Sequence, residues 1–436
     1  MSLTRAGCRS PILCLLLSGY LLAGCSHAGN TMLPSLAGNS GQTISSTIEG
    51  SKASSARSLG PAAFKVLHDF KGGSDGENPH SSLVDVDGTL YGTTESGGGG
   101  AFGLGTVFEL DAGGNYRVLY RFKGGREDGA YPTGSLTYAN GQLYGTTSGG
   151  GDGAGTVFSL GRNGVERVLY SFKAGNDGSR PNAPLLYLRG SLYGTTSQGG
   201  KDDNGTVFVI KALRSERIIY RFTGGRDGAT PEAGLTYAGG ALYGTTEAGG
   251  RFCGFAASSY ARVDCGTVFA MTLSGKKRVL YEFKGLDDGA QPTASMIDVR
   301  GMLYGTTSSA GPYFQTGWGG TVFSITTSGK STVLHAFNAD SEDLYPTAAV
   351  VYAGGAFYGT TLWGCDDGSQ VVNNGSVFSM SATGQTQILH CFTGGDDGFQ
   401  PAGALLNAGG KLYGTATGGG TFKEGTIFTL SMSPST

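Results

Sequence analysis

Charge is scarce in this chain. Asp, Glu, Lys and Arg make up 15% of its 436 residues and the formal net charge is −2, against about 25% charged residues in an ordinary soluble domain. No Lys/Arg run or basic stripe is present. The electrostatic footprint of phosphate-backbone binding is therefore missing, and no nucleic-acid partner is expected. Histidine occurs five times, and its positions form no Ser/His/Asp order and no His/Cys ligand spacing, so no catalytic residue, metal ligand or cofactor is predicted. Proline occurs thirteen times and tryptophan twice. The longest apolar run, from Pro11 to Ala23, is too short to cross a bilayer. Helical periodicity is absent from the rest of the chain.

What is plentiful is glycine, eighty residues of it, with 10% aromatics to supply the core volume that glycine removes. The glycines are not scattered. Leu90-Tyr91-Gly92-Thr93-Thr94 returns six times, with its tyrosine at 144, 193, 243, 304, 358 and 413. A period near fifty residues is the mark of a repeat architecture. Each unit carries a Gly-Thr-Val-Phe element, as in Gly155-Thr156-Val157-Phe158. Each also carries an alternating strand such as Val118-Leu119-Tyr120-Arg121-Phe122, a turn such as Gly125-Arg126-Glu127-Asp128-Gly129, and a hairpin signal such as Asn140-Gly141. Four short strands per unit with no helix describe one antiparallel blade, and seven such blades predict an all-β, seven-bladed β-propeller.

The phase of the repeat predicts how the ring closes. The ordered region, 64–431, opens on the fourth strand type at 66–70 and stops after the third at 425–430. Pairing these two would complete the last blade and remove both exposed edges. These elements resemble the tandem GloVer-type repeat of bacterial surface proteins. The resemblance spans about residues 64–430 and implies a surface-exposed propeller, with no established activity and no catalytic residues to carry over. Local departures are Gly375-Ser376-Val377-Phe378, Thr415-Ala416, and Glu342-Asp343 where other units have Asp-Gly.

At the N-terminus, Arg5 and Arg9 precede the apolar run, which ends in Leu22-Ala23-Gly24-Cys25. This resembles the bacterial lipoprotein signal and implies residues 1–24 as signal peptide, with Cys25 lipidated as the first mature residue. Its acyl chains would contribute about 0.8 kcal/mol per buried CH₂, enough to hold the protein on a membrane. Ser26 in place of Asp points to the outer membrane where the host has one. Residues 25–63 read as a Ser/Gly-rich tether.

Within repeats, sites are expected where the copies differ. The turn before each repeat proline and the loop after each Thr-Thr should open on one face. That loop is short in most units but grows to 247–265, 308–319 and 362–374 in blades four to six. These insertions carry Phe252, Tyr260, Tyr313, Phe314, Trp318 and Trp363, an aromatic set suited to a glycan, peptide or envelope-protein partner. An alternative is an extracellular carbohydrate-active enzyme using Asp264, Asp366 or Asp367, and a further one is a purely structural or adhesion protein. Cys253 and Cys265 bracket the blade-four insertion and are expected to form a disulfide; Cys365 and Cys391 are left open. The repeated turn aspartates, from Asp75 to Asp397, read as turn caps in preference to a ring of cation ligands.

Overall fold

The computed structural model describes residues 63–100, 103–211, 215–255, 262–285, 287–310, 319–337, 345–365 and 373–432, the side chains of 215, 252–255 and 262–264 excepted. Seven four-stranded antiparallel sheets form the scaffold. The third is representative: Leu186–Leu188, Ser191–Thr196, Thr206–Lys211 and Ser215–Arg221, each bonded to the next in chain order. The three-residue strands of successive blades stand side by side around a common axis. Residues just ahead of them, from all seven blades, line one axial cavity of about 190 Å³. The molecule is a seven-bladed propeller.

Closure follows the predicted pairing. Phe64–Asp69 lies antiparallel to Thr426–Ser431, with Phe64 opposite Leu430 and Lys65 opposite Thr429. The innermost strands are shorter than the repeat suggests, three residues (Thr137–Ala139, for example) where five were expected. The reason is that amides ahead of them turn to the next blade: Ser82 donates to Ser135 Oγ at 2.9 Å, and Gly234 to Ser295 Oγ at 2.9 Å.

Each letter of the repeated motif has a packing role. Gly92 faces Phe108 across the sheet, and a Cβ there would lie 2.5 Å from the phenyl Cζ. Only glycine lets this fully buried ring, worth about 2–3 kcal/mol, cross its neighbour strand. The first threonine ties blades together. Thr146 Oγ1 donates to the Ala183 carbonyl at 3.1 Å, and the series runs round to Thr415 Oγ1 on the Ser81 carbonyl at 3.0 Å. The second threonine pins strands within a blade, as in Thr94 Oγ1 to Thr106 Oγ1 at 2.8 Å. Ser376 keeps that bond to Thr361 at 3.0 Å, whereas Ala416 gives it up.

The turn aspartates staple their own turns. Asp177 accepts from the Tyr170 hydroxyl at 2.7 Å and the Lys173 amide at 2.9 Å. Where histidine replaces the tyrosine, His68 and His390 still bond Asp75 and Asp397, each at 3.1 Å. The capping role holds for these carboxylates.

Candidate functional site

Among the described residues, the turn before the repeat proline and the loop after Thr-Thr do share one face. Ser179 bridges Gln198, Ala229 bridges Ala248, and Phe399 bridges Gly418; in blade two Gly129–Ala130 pairs with Gly149–Gly150. On this face the residue ahead of each repeat proline has the same unusual backbone. Asn78, Tyr131, Arg180, Thr230, Gln291, Tyr345 and Gln400 all have φ between 55° and 60°. Two hydrogen bonds enforce it: the Arg180 amide donates to the Ala154 carbonyl of the preceding blade at 2.9 Å, and its own carbonyl accepts from Ser197 at 3.1 Å. Left-handed backbone costs a residue with a Cβ about 1 kcal/mol or more. Glycine would relieve it, yet a chain with eighty glycines puts none there. The result is a ring of seven side chains of five kinds around the mouth, all exposed or half-buried.

The residue after each proline forms a second, deeper ring. His80, Thr133, Glu232, Thr293, Thr347 and Ala402 line the axial cavity. Burial raises the Glu232 carboxyl, with the Arg180 charge opposing. Burial, then the neighbouring Glu232, pushes Glu247 up to about 7. His80 is open to funnel solvent, but the protein crowding it lowers its pKa, with Glu95 partly opposing. Among the described residues no group of three or more His, Cys, Asp or Glu is placed to hold a metal.

Beside the axis, blades one to three leave a hollow of about 540 Å³ between their short loops, reached by Tyr131, Arg180 and Asn182. A second hollow, about 490 Å³, lies at the opposite ends of the strands between blades seven and one. Its carboxylates are already engaged: Asp85 accepts from Gly88, and Asp111 from Gly113 and Asn115.

The Gloeobacter/Verrucomicrobia repeat model matches residues 32–257 and 248–436 of the chain. The chain belongs to this repeat family. No curated protein matches it. Among solved structures, the Xanthomonas campestris gluconolactonase XC5397 is 13% identical at a TM-score of 0.43, covering 86% of this chain and 90% of its own. Puromycin hydrolase is 14% identical at 0.49, covering 79% and 50%. A putative TolB from Agrobacterium tumefaciens is 9% identical at 0.38, covering 73% and 94%.

In this Gloeobacter/Verrucomicrobia repeat protein, the residues singled out from sequence fall unevenly. Trp363 stands on the blade-six rim, 39% exposed. The blade-four insertion contains a hairpin of Phe252–Phe255 with Arg262–Asp264, but the side chains of Phe252, Cys253 and Asp264 are outside the described set. Tyr260, Tyr313, Phe314, Trp318, Asp366, Asp367 and Cys25 lie outside the described residues altogether. Cys265 is disulfide-bonded. Cys365 and Cys391 are joined, their Cα atoms 5.7 Å apart, which ties the blade-six loop to the end of its outer strand, Thr386–Cys391. Sequence reasoning missed Tyr131, Arg180, Glu232 and Glu247 because it compared loop lengths. The available signal was at single positions: the residues flanking each repeat proline change from copy to copy while the proline itself does not.

Proposed function

We propose that this repeat protein is a binding module, exported and held at the bacterial surface by lipid on Cys25, that recognises a glycan, peptide or envelope partner on its loop face. The observation carrying the reading is the ring of seven non-glycine residues in left-handed backbone, whose side chains are kept at a conformational cost. The rest of the repeat is consumed internally by staples and packing. The long blade-four to blade-six loops, with Phe252, Tyr260, Tyr313, Phe314, Trp318 and Trp363, supply a second recognition wall on that face. The anchor is tested by labelling cells with an alkynyl fatty acid: wild type should incorporate label into the membrane fraction and Cys25→Ala should not. The binding role is tested by a glycan and envelope-fraction screen, in which Trp363→Ala should weaken any hit on the long-loop wall.

One observation favours a second reading, an enzyme acting on extracellular glycans. Glu232 and Glu247 are neighbouring carboxyls at the axial mouth, both raised by burial and Glu247 to about 7, where a carboxyl can serve as a general acid. Release of reducing sugar from a polysaccharide, abolished in Glu247→Gln, would support it; binding without turnover would leave the module reading in place.

A further inference from the structure

We infer that the hollow over blades one to three is a carbohydrate site for a neutral saccharide, with Tyr131 as its stacking platform. The inference rests on the loop face being the ligand face, but it places the ligand on the side opposite in chain order to the long loops.

The platform is built by the backbone. Tyr131 is 40% exposed, an unusual state for so large an apolar ring, and its φ is 60°. One part of the ring rests on Gly149, where a Cβ would come within 3.2 Å of Cδ2; much of the remainder faces solvent. An amphipathic ring held this way is the surface on which the C–H face of a pyranose packs.

The polar lining fits hydroxyls. Thr133, Ser148 and Asn182 line the hollow beside the ring, and a sugar hydroxyl, donor and acceptor at once, pairs with hydroxyl and amide groups alike. Glu95, Arg180 and Gln198 also line the hollow. They combine one anion, one cation and one amide, so no net charge selects for an ionic ligand. The volume, about 540 Å³, is within the range of small-ligand sites and holds roughly a disaccharide.

A peptide fits less well. Extended peptides dock by adding to an open strand edge, and the edges here are taken. Ser179 and Gln198 exchange both main-chain bonds, Ser148 donates to the Tyr131 carbonyl, and Arg180 donates to Ala154.

The test is titration of the full-length chain, in a sugar-free zwitterionic detergent, with cellobiose, maltose and laminaribiose at millimolar concentration, read by saturation-transfer NMR and calorimetry. At least one disaccharide should bind, Tyr131→Ala should weaken it about tenfold or more, and Tyr131→Phe should stay within about twofold. Arg180→Gln, a change at an exposed side chain, should weaken it about fivefold and covers the case in which Tyr131→Ala fails to fold. Binding by none of the three sugars overturns the inference. So does a disaccharide that Tyr131→Ala and Arg180→Gln still bind normally. If that sugar is instead lost in Trp363→Ala, the ligand sits on the long-loop wall and the module reading survives. A peptide captured from the envelope fraction and released by Arg180→Gln would overturn the carbohydrate class. Failure of every sugar and every envelope fraction would sink both readings.

Discussion

Replacing Glu166 by glutamine should stabilise the propeller, and should do so only above acidic pH. Glu166 opens the outer strand of blade two, Glu166–Ser171, and packs against the Tyr120–Asp128 pair of blade one. Its Oε1 is buried without a partner. Burial, then the Asp128 charge, pushes its carboxyl up to about 7 from an ordinary 4.5. A folded-state value above the unfolded one means the fold favours the protonated acid. The stability is therefore whole below about pH 4.5 and is lost as pH rises through about 7. In a dry site that interval would be worth about 3 kcal/mol, and water reaching a half-buried carboxyl reduces it to about 1 kcal/mol. Glutamine has no charge to bury, and its amide can donate to Asp128. Urea unfolding of wild type and Glu166→Gln at pH 4, 6 and 8 reads this out: the advantage of the variant should be near zero at the lowest pH and about 1 kcal/mol at the highest. Glu216, raised to about 7 by burial and Asp177, gives an independent repeat of the experiment. An advantage that is constant across the range, or a variant less stable at pH 8, would refute the reasoning.

Thr230→Gly should raise the unfolding midpoint in urea, because a β-branched residue leaves left-handed backbone; about 1 kcal/mol is expected after the entropy that glycine returns to the unfolded chain, and no gain would show that the ring is unstrained. Reducing the Cys365–Cys391 bridge, or replacing both residues by alanine, should cost about 3–4 kcal/mol, given the 26-residue separation it closes, measured by denaturation with and without a phosphine reductant. Lys277→Met should cost about 1–2 kcal/mol in the same assay: Lys277 Nζ is buried and bonds Asp227 Oδ1 at 2.8 Å, but Asp227 keeps the Tyr220 hydroxyl and Thr223 amide, so the loss should be below that of an orphaned buried charge.

The architecture could be read from the chain because the repeat states it seven times. Tyr91-Gly92-Thr93-Thr94 repeats at a fixed phase, and the phase difference between 66–70 and 425–430 is enough to predict the closing pair. The reasons for the letters were not readable. That Gly92 exists to admit Phe108, or that Thr146 reaches the carbonyl of Ala183, depends on which residues oppose each other across and between sheets. The short-loop residues escaped notice for a different reason. Long loops with Trp318 and Trp363 draw the eye, whereas Tyr131 and Arg180 occupy short, regular turns. What sets them apart is a backbone angle that composition does not announce. Cys365 and Cys391 share a blade, which left their pairing open; only the fold brings the loop and the outer strand within reach of a bond.

The pairing of Phe64 with Leu430 sets the order in which this protein can be made. A ribosome releases the first ordered strand hundreds of residues before its partner exists, so six sheets can assemble while the ring stays open. Residues 426–431 are the clasp, and a chain cut short by that one strand would leave Phe64–Asp69 with nothing to join. Nascent chains should therefore remain open to proteases until synthesis is nearly complete, then become resistant in a single late step.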